Sequence, residues 1–371
     1  MGNMMKAETQ TDEERLYMAS QWELMRRKFV KHKLALVGLG ILCVFVFIAL
    51  FAEFLSTTDP TQDNSQYIYL PPQRMRFFDQ GKLSLRPFVY EVKREIDLQT
   101  LTRLYVEDES QKYPIYFFVR GYSYRLLGLI PSDIHLMGTE GGPFFLFGTD
   151  RLGRDLFSRT LLATRVSISV GLLGLVVSFV LGCLLGGLSG YYGGGVDIIV
   201  MRIVEFLSSI PTIPLWMALS AALPRHWSSI QTYFGITIIL GLVGWTGLAR
   251  VVRGKLLELR EEDFVTAARL AGMSDFRIIT KHLLPLIMSY LIVNLTLAIP
   301  RMILGETSLS FLGLGIRPPA VSLGTLMQDA QNVRILALNP WLLIPALFVV
   351  AIVLGSNFLG DGLRDAADPY K

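Results

Sequence analysis

The sequence predicts an all-α membrane protein: six transmembrane helices with an inserted external subdomain containing short β-strands. Three observations carry this. Of 371 residues, 51% are hydrophobic and only 18% are charged, against about 25% charged in soluble domains; the mean hydropathy is +0.44. The apolar residues gather into six runs, each long enough to cross about 30 Å of hydrocarbon, which takes roughly 20 helical residues. Between the first two runs lies a polar stretch too long for a plain connection.

Residues 1–33 form an N-terminal segment that closes on the basic stretch RRKFVKHK. The first span, 34–55, reads LALVGLGILCVFVFIALFAEFL. Its apolar length exceeds that of a signal peptide and no small-residue cleavage site follows, so it is expected to stay as an anchor. Residues 56–164 form the external, periplasmic insertion, ending in an interfacial helix. Within it LSLRPFVYEV and YPIYFFVRGYSYRLLGL are rich in aromatic and β-branched residues bounded by Pro and Gly, which predicts short strands. Its Tyr and Phe clusters fit interface anchoring or a small β core better than substrate stacking. Residues 165–361 hold a five-helix core with spans at 166–188, 198–222, 233–250, 285–305 and 341–360. A polar loop, 251–284, interrupts the core, and 362–371 form the tail.

Charge sets the orientation. Arg26, Arg27, Lys28, Lys31 and Lys33 precede the first span, which places the N-terminus in the cytoplasm, and an even number of spans returns the C-terminus there. The loop between the fourth and fifth spans carries Arg250, Arg253, Lys255, Arg260, Arg269, Arg277 and Lys281. Alternation makes it cytoplasmic, as its charge requires. The loop between the fifth and sixth spans has only Arg317 and Arg334 and lies outside. This Lys/Arg excess accounts for the net charge of +4 without any nucleic acid partner. Cys43 and Cys183 both fall inside apolar runs, so neither a disulfide framework nor a zinc site is expected.

The segment EEDFVTAARLAGMSDFRIITKHLLP, 261–285, is densely charged between two apolar runs. Phe264, Ala267, Ala268 and Ala271 recur at helical spacing as one narrow non-polar face. Gly272 is a candidate C-cap, and Ser274 with Asp275 behind it a fresh N-cap. A second short helix then runs from Phe276 to Leu284, with Pro285 admitting the next span. A helix lying on the bilayer surface would carry Trp, Phe or Leu on its apolar face and a broad basic face opposite. The alanine face and mixed charges here fit docking to a protein partner better.

This segment resembles the Glu-Ala-Ala loop of binding-protein-dependent ABC importer permeases, matching at Ala267, Ala268, Gly272, Ile279 and Leu284-Pro285. FGTDRLGRDLFSRTLLATRVSISVGL (147–172), GETSLSFLGLGIRPPAVSLGTLM (305–327) and FLGDGLRDAADP (358–369) are similar to the dipeptide/oligopeptide/nickel permease family. The likeness is close over 147–371 and loose over the first span. It implies a fold of the ABC importer permease type, with the loop acting as a coupling helix seated in a groove of a separate ATP-hydrolysing subunit. The residues it assigns to that contact are Glu262, Phe264, Thr266, Ala267, Ala268, Gly272, Ser274, Asp275, Ile279 and Pro285. Thr266 departs from the pattern, since the family has glutamate there. Either Glu261 or Glu262 supplies the acidic contact, or that contact is dispensable.

The resemblance also implies a non-catalytic subunit in a bacterial inner membrane, with no cofactor of its own. Its partners would be a second homologous permease, two ATPase subunits that carry ATP and Mg, and an external solute-binding protein. The implied cargo is short peptides; relatives carry oligosaccharides, opine-like conjugates or nickel. The enlarged external region departs from the common short form and is expected to contact the binding protein or the partner permease. A self-sufficient channel or ion-coupled carrier is the alternative of another class. It would show inverted repeats with discontinuous helices at matching places, and the sequence shows none.

Polar groups at membrane depth usually face a cavity or a partner. Glu205, Asn294, Arg301 and Asn357, with Glu306 near the outer end of the fifth span, are therefore candidates for the translocation path. Arg202 and Glu205, three apart, are placed to pair, and Pro211, Pro214 and Pro300 to kink their helices. No G-x-x-x-x-G-K-[ST] loop, H-E-x-x-H or G-x-S-x-G is present. LSGYYGGG at 188–195 reads as a tight turn, and the four histidines are scattered. In GTDRLGRD (148–155) Arg151 and Arg154 are expected to keep Asp150 and Asp155 ionised, as structural ion pairs capping the interfacial helix.

Overall fold

The computed structural model describes residues 21–79, 82–96 and 103–367; positions 1–20 of the N-terminal segment and 368–371 of the tail lie outside them. Helix α1 (Gln21–Lys31) leads into α2 (Lys33–Leu50), whose start is capped by His32 Nδ1 accepting from the Ala35 amide at 3.1 Å. Phe51 interrupts the expected first span, and a single turn at Ala52–Leu55 completes it. After the insertion comes α3 (Leu156–Tyr192), a 37-residue helix. The expected interfacial helix and second span are thus one continuous element, since no proline or glycine pair breaks LFSRTLLATRVSISVGL.

The third span is broken. Helices α4 (Gly194–Ser209) and α5 (Thr212–Ala221) meet at a 90° bend. Pro211 lacks an N–H and holds Ile210 extended, with φ −93° and ψ 131°, so the ladder cannot pass through. The pair still crosses the molecule. The start of α4 is tied by Asp197 to Arg253, while the carbonyls of Pro224 and Arg225, just after α5, accept from Arg317 at 3.4 and 3.2 Å at the opposite end. Helix α6 (Ser229–Leu259) starts on a capping box between Ser228 and Gln231. Short helices α7 (Asp263–Leu270) and α8 (Asp275–Ile278) follow. A π-helical stretch (Ile279–Leu283) and a turn (Leu284–Leu286) then lead to α9 (Met288–Phe311). The last span, α10 (Ile344–Ala367), closes the chain. Among the described residues five helices, or six spans if the bent pair counts as one, are long and apolar enough to cross a membrane.

Small residues bring these helices together, as they must where lipid offers no hydrophobic drive for association. Gly182, Gly186 and Gly190 form a seam one turn apart along α3, facing α6. A Cβ on Gly186 would lie 2.5 Å from the Ala249 carbonyl oxygen, and one on Gly190 2.7 Å from that of Arg253. Gly38 of α2 meets α10 in the same way, 2.6 Å from the Gly355 oxygen.

The insertion is a four-stranded antiparallel meander in the order β1 (Arg76–Asp79), β2 (Lys82–Ile96), β3 (Arg103–Leu126), β4 (Ile130–Thr139). Its strands are longer than the expected short ones. The first part of β3 pairs with β2 and its last part with β4, so one 24-residue strand serves two hairpins. The β3–β4 turn has positive φ at Leu127 (51°) and Gly128 (76°), the twist-matched hairpin geometry. Val89, Ile115 and Phe144 fill a small core. The insertion leaves and returns at one place. The Gln73 amide donates to the Phe145 carbonyl at 3.0 Å, the Phe145 amide donates to Gln73 Oε1 at 2.7 Å, and the Thr57 amide donates to Ser158 Oγ at 3.0 Å. His135 Nδ1 and Nε2 lie 3.0 Å from the carbonyls of Glu53 and Tyr122, fastening β4 to the end of the first span.

Around the α3 start, the expected ion pairs are divided unequally. Asp150 receives Arg154 at 2.8 Å and Arg159 at 3.5 Å, while Asp155 is the helix cap, accepting from the Phe157 and Ser158 amides. Burial pushes the Asp155 carboxyl above its usual range, opposed by hydrogen bonds from Ser158, Thr57 and Phe157 rather than by an arginine.

Candidate functional site

Helix α7 is anchored by one side and open on the other. Val265 is fully buried and packs in a cluster with Val252, Leu256, Ile278 and Leu283. The helix ends in a Schellman motif: the Met273 amide donates to the Ala268 carbonyl at 3.1 Å and the Gly272 amide to that of Arg269 at 2.9 Å, with Gly272 at φ +76°. Met273 and Ala268, the two ends of the motif, both touch the same cluster. The expected non-polar face therefore splits. Ala268 turns inward beside Val265, while Phe264, Ala267 and Ala271 face out together with Thr266, Leu270 (84% exposed) and Phe276 (67%).

Two assignments change. Ile279 is 6% exposed and packs in the interior cluster, so it holds the loop rather than presenting itself to a partner. The second helix does not run unbroken from Phe276 to Leu284, because its turns widen over Ile279–Leu283, and the kink into α9 falls at Ile287 (φ −99°) rather than at the exposed Pro285. Ser274 sits at the N-cap position of α8 with an extended backbone, yet its side chain makes no capping bond. Of the two glutamates, Glu261 pairs with Arg260 at 2.9 Å, which leaves Glu262, exposed at the N-cap of α7, as the one without an ion pair among the described residues.

Asp275 has a role the sequence does not reveal. Its carboxylate accepts from the Tyr191 hydroxyl at 2.7 Å and the Tyr192 hydroxyl at 3.1 Å. Arg269 Nε donates to the same Tyr191 oxygen at 3.0 Å, with the guanidinium 4.8 Å from the ring centroid. That hydrogen bond raises the Arg269 pKa further above its ordinary value, so the cation persists at any working pH. Both helices of the loop are thereby fastened to the last turn of α3. Beside them Arg253 of α6 pairs with Asp197 of α4, which also accepts from Ser189. This polar knot links α7 and α8 directly to α3.

At membrane depth the structure brings two of the five path candidates together. Asn294 and Arg301 line a cavity of about 240 Å³ between α3, α6 and α9, with Ser178, Gly244 and Gly247 on the facing walls. An arginine at the centre of a spanning helix costs about 2.5–3.5 kcal/mol on insertion scales unless it faces a cavity or a partner, and the cavity meets that requirement. Glu205 lies outside it on α4, paired with Arg202 at 2.9 Å as expected. Asn357 is half-buried on α10, also outside it. Among the described residues, no group of three His, Cys, Asp or Glu is placed to hold a metal ion.

Glu306 is fully buried and lies outside that cavity's lining, so its contacts are internal. Ser167 Oγ donates to it at 2.8 Å while accepting from the Leu323 amide at 3.1 Å; Ser310 Oγ donates at 2.6 Å while accepting from the Ile316 amide at 3.1 Å. One carboxylate thus organises the loop after α9 against α3. Glu306→Ala leaves the two buried serine hydroxyls without their acceptor, at about 1–3 kcal/mol for each. The expected result is a several-fold lower yield of folded protein in detergent and a lower Tm.

The comparisons agree with this architecture. The chain matches the family model described as "Binding-protein-dependent transport system inner membrane component" over residues 178–370, and that of the N-terminal TM domain of oligopeptide transport permease C over 20–72. It is 41% identical over 227 residues to an oligopeptide transport system permease protein of Haemophilus influenzae, covering 61% of this chain and 70% of that one. It is 41% identical over 224 residues to a dipeptide transport system permease protein of Bacillus subtilis, covering 60% and 68%. Among solved structures, the inward-facing MetNI methionine ABC transporter aligns at TM-score 0.43 and 20% identity, over 56% of this chain and 96% of that one, a likeness too distant to rest anything on. With two family models matched in chain order, one of them over residues 178–370, the chain belongs to the family of binding-protein-dependent transport system inner membrane components.

Proposed function

We propose that the chain is the permease subunit of an ATP-driven importer of short peptides, forming half of the translocation path beside a second, homologous permease. Two ATPase subunits bind on the side of α7 and α8 and supply the ATP and Mg; a solute-binding protein delivers cargo on the side of the sheet. The chain itself catalyses no reaction. The basic loop, and with it both termini, faces the cytoplasm of a bacterial cell whose inner membrane holds the complex. The peptide cargo is carried over from the names of the relatives.

The single observation that supports this reading best is the outward surface of α7 and α8. Phe264, Leu270 and Phe276 are exposed on a loop that Val265, the Schellman bend and the Tyr191–Asp275–Arg269 knot hold rigidly from behind. A surface that is both apolar and pre-ordered suits a docked partner. Phe264→Asp combined with Leu270→Asp is expected to lower the amount of ATPase subunit co-purifying with the chain about tenfold, without changing its level in the membrane. Undiminished co-purification, or transport by the chain alone, rejects the reading.

A further inference from the structure

We propose that Arg301, with Asn294 one face-repeat away on α9, forms an anion-reading position in the path that takes a carboxylate of the transported solute. This rests on the importer reading above and goes beyond it. Arg301 is exposed, and no described carboxylate pairs with it, whereas Arg202, Arg253 and Arg165, which also lie on spanning helices, each have an acidic partner. Unlike those, its guanidinium belongs to residues that line an open space, the cavity of about 240 Å³ shared with Ser178 and Asn294.

The wall opposite is shaped for an incoming group. Gly247 leaves room where a Cβ would meet nothing within 4 Å, and at Gly244 a Cβ would strike the Met302 Cε and approach Ser178 Oγ. The volume is below that of an ordinary small-molecule pocket, about 300–1,000 Å³, so it holds one end of a solute rather than a whole peptide. The planar fork of arginine matches a carboxylate through two parallel hydrogen bonds. Asn294 gives one amide hydrogen to the Tyr290 carbonyl at 2.9 Å, keeping a second donor for the ligand. The cavity lining contains one cation and no acid, which balances a singly charged group. A doubly charged phosphate would keep an uncompensated charge at membrane depth.

The test uses the assembled complex in proteoliposomes with its binding protein, and tri-alanine and its C-terminal amide as solutes. Arg301→Gln is expected to lower tri-alanine uptake per ATP hydrolysed at least tenfold, and Arg301→Lys, which keeps the cation but loses the fork, about threefold, with subunit composition unchanged. The amide should cross wild-type and Arg301→Gln vesicles at equal rates. Wild-type uptake in Arg301→Gln, an equal fall in the Lys and Gln variants, or an equal fall for both solutes overturns the proposal. Loss of the second permease from purified Arg301→Gln also overturns it and gives the side chain to the subunit interface. Wild-type vesicles that move neither solute reject the peptide reading itself, and the anion position with it.

Discussion

Replacing Gly186 with leucine is expected to prevent the chain from accumulating in the membrane. The Cβ alone would sit 2.5 Å from the Ala249 oxygen and 2.8 Å from its Cα. These are backbone atoms of α6, so no rotamer change relieves the contact and the two helices must separate. Overpacking in an ordinary core costs about 1–3 kcal/mol because side chains yield; here the seam through Gly182, Gly186 and Gly190 loses its register along much of α3. Gly38→Leu is expected to act alike on the α2–α10 pair, where the obstacle is the Gly355 oxygen at 2.6 Å. Gly40→Leu is the control on the same helix, since a Cβ there meets nothing within 4 Å. Membrane-fraction immunoblots and size-exclusion profiles of the three variants check this. Normal accumulation of Gly186→Leu would sink the seam as the organising contact.

Gly272→Val is expected to separate uptake from assembly. A Cβ at this position would meet nothing, so the whole effect passes through the backbone. At φ +76° an L-residue pays about 1–2 kcal/mol, and a β-branched one fares worst. Relief comes from rotating out of the left-handed region, which breaks the two Schellman hydrogen bonds and re-aims α7 relative to α8. The variant should insert and purify at normal levels, while solute uptake falls at least tenfold and ATP hydrolysis loses its dependence on the binding protein. Gly272→Asn, which tolerates the left-handed region, should keep most of the activity. Equal uptake by the valine variant and wild type would show that the bend is not what aligns the loop with its partner.

The chain displays some of this structure openly and hides the rest for physical reasons. The six apolar runs and the helix–glycine–helix of the loop are local patterns, readable from spacing and from one glycine. The face of α7 is harder to read, because Phe264, Ala267 and Ala271 form a non-polar stripe that points outward rather than to the interior. Only the neighbouring Val265 and Met273, which reach back to α6 and the start of α9, distinguish the two. The glycines of the seam recur at every fourth residue from 182 to 190, but that spacing names no partner helix, and only the structure sets it against α6. The break at Ile210 goes beyond the kink that Pro211 suggests, since the bend reaches 90°. The contacts of Asp275 with Tyr191 and of Glu306 with Ser167 join residues 84 and 139 positions apart. No spacing rule encodes them. Glu306 drew attention as a charge at depth, and the sequence cannot tell a carboxylate that lines a path from one that ties a loop.

The doorway through which the insertion leaves the helical body has a consequence for how this protein can vary. Gln73 and Phe145 clasp one another by two hydrogen bonds, and the four strands β1–β4 form a cassette between the two ends of that clasp. Such a cassette can be shortened, lengthened or exchanged for a foreign sheet without shifting any span, provided the replacement restores the His135 fastening to Glu53 and the Phe54–Phe118 contact.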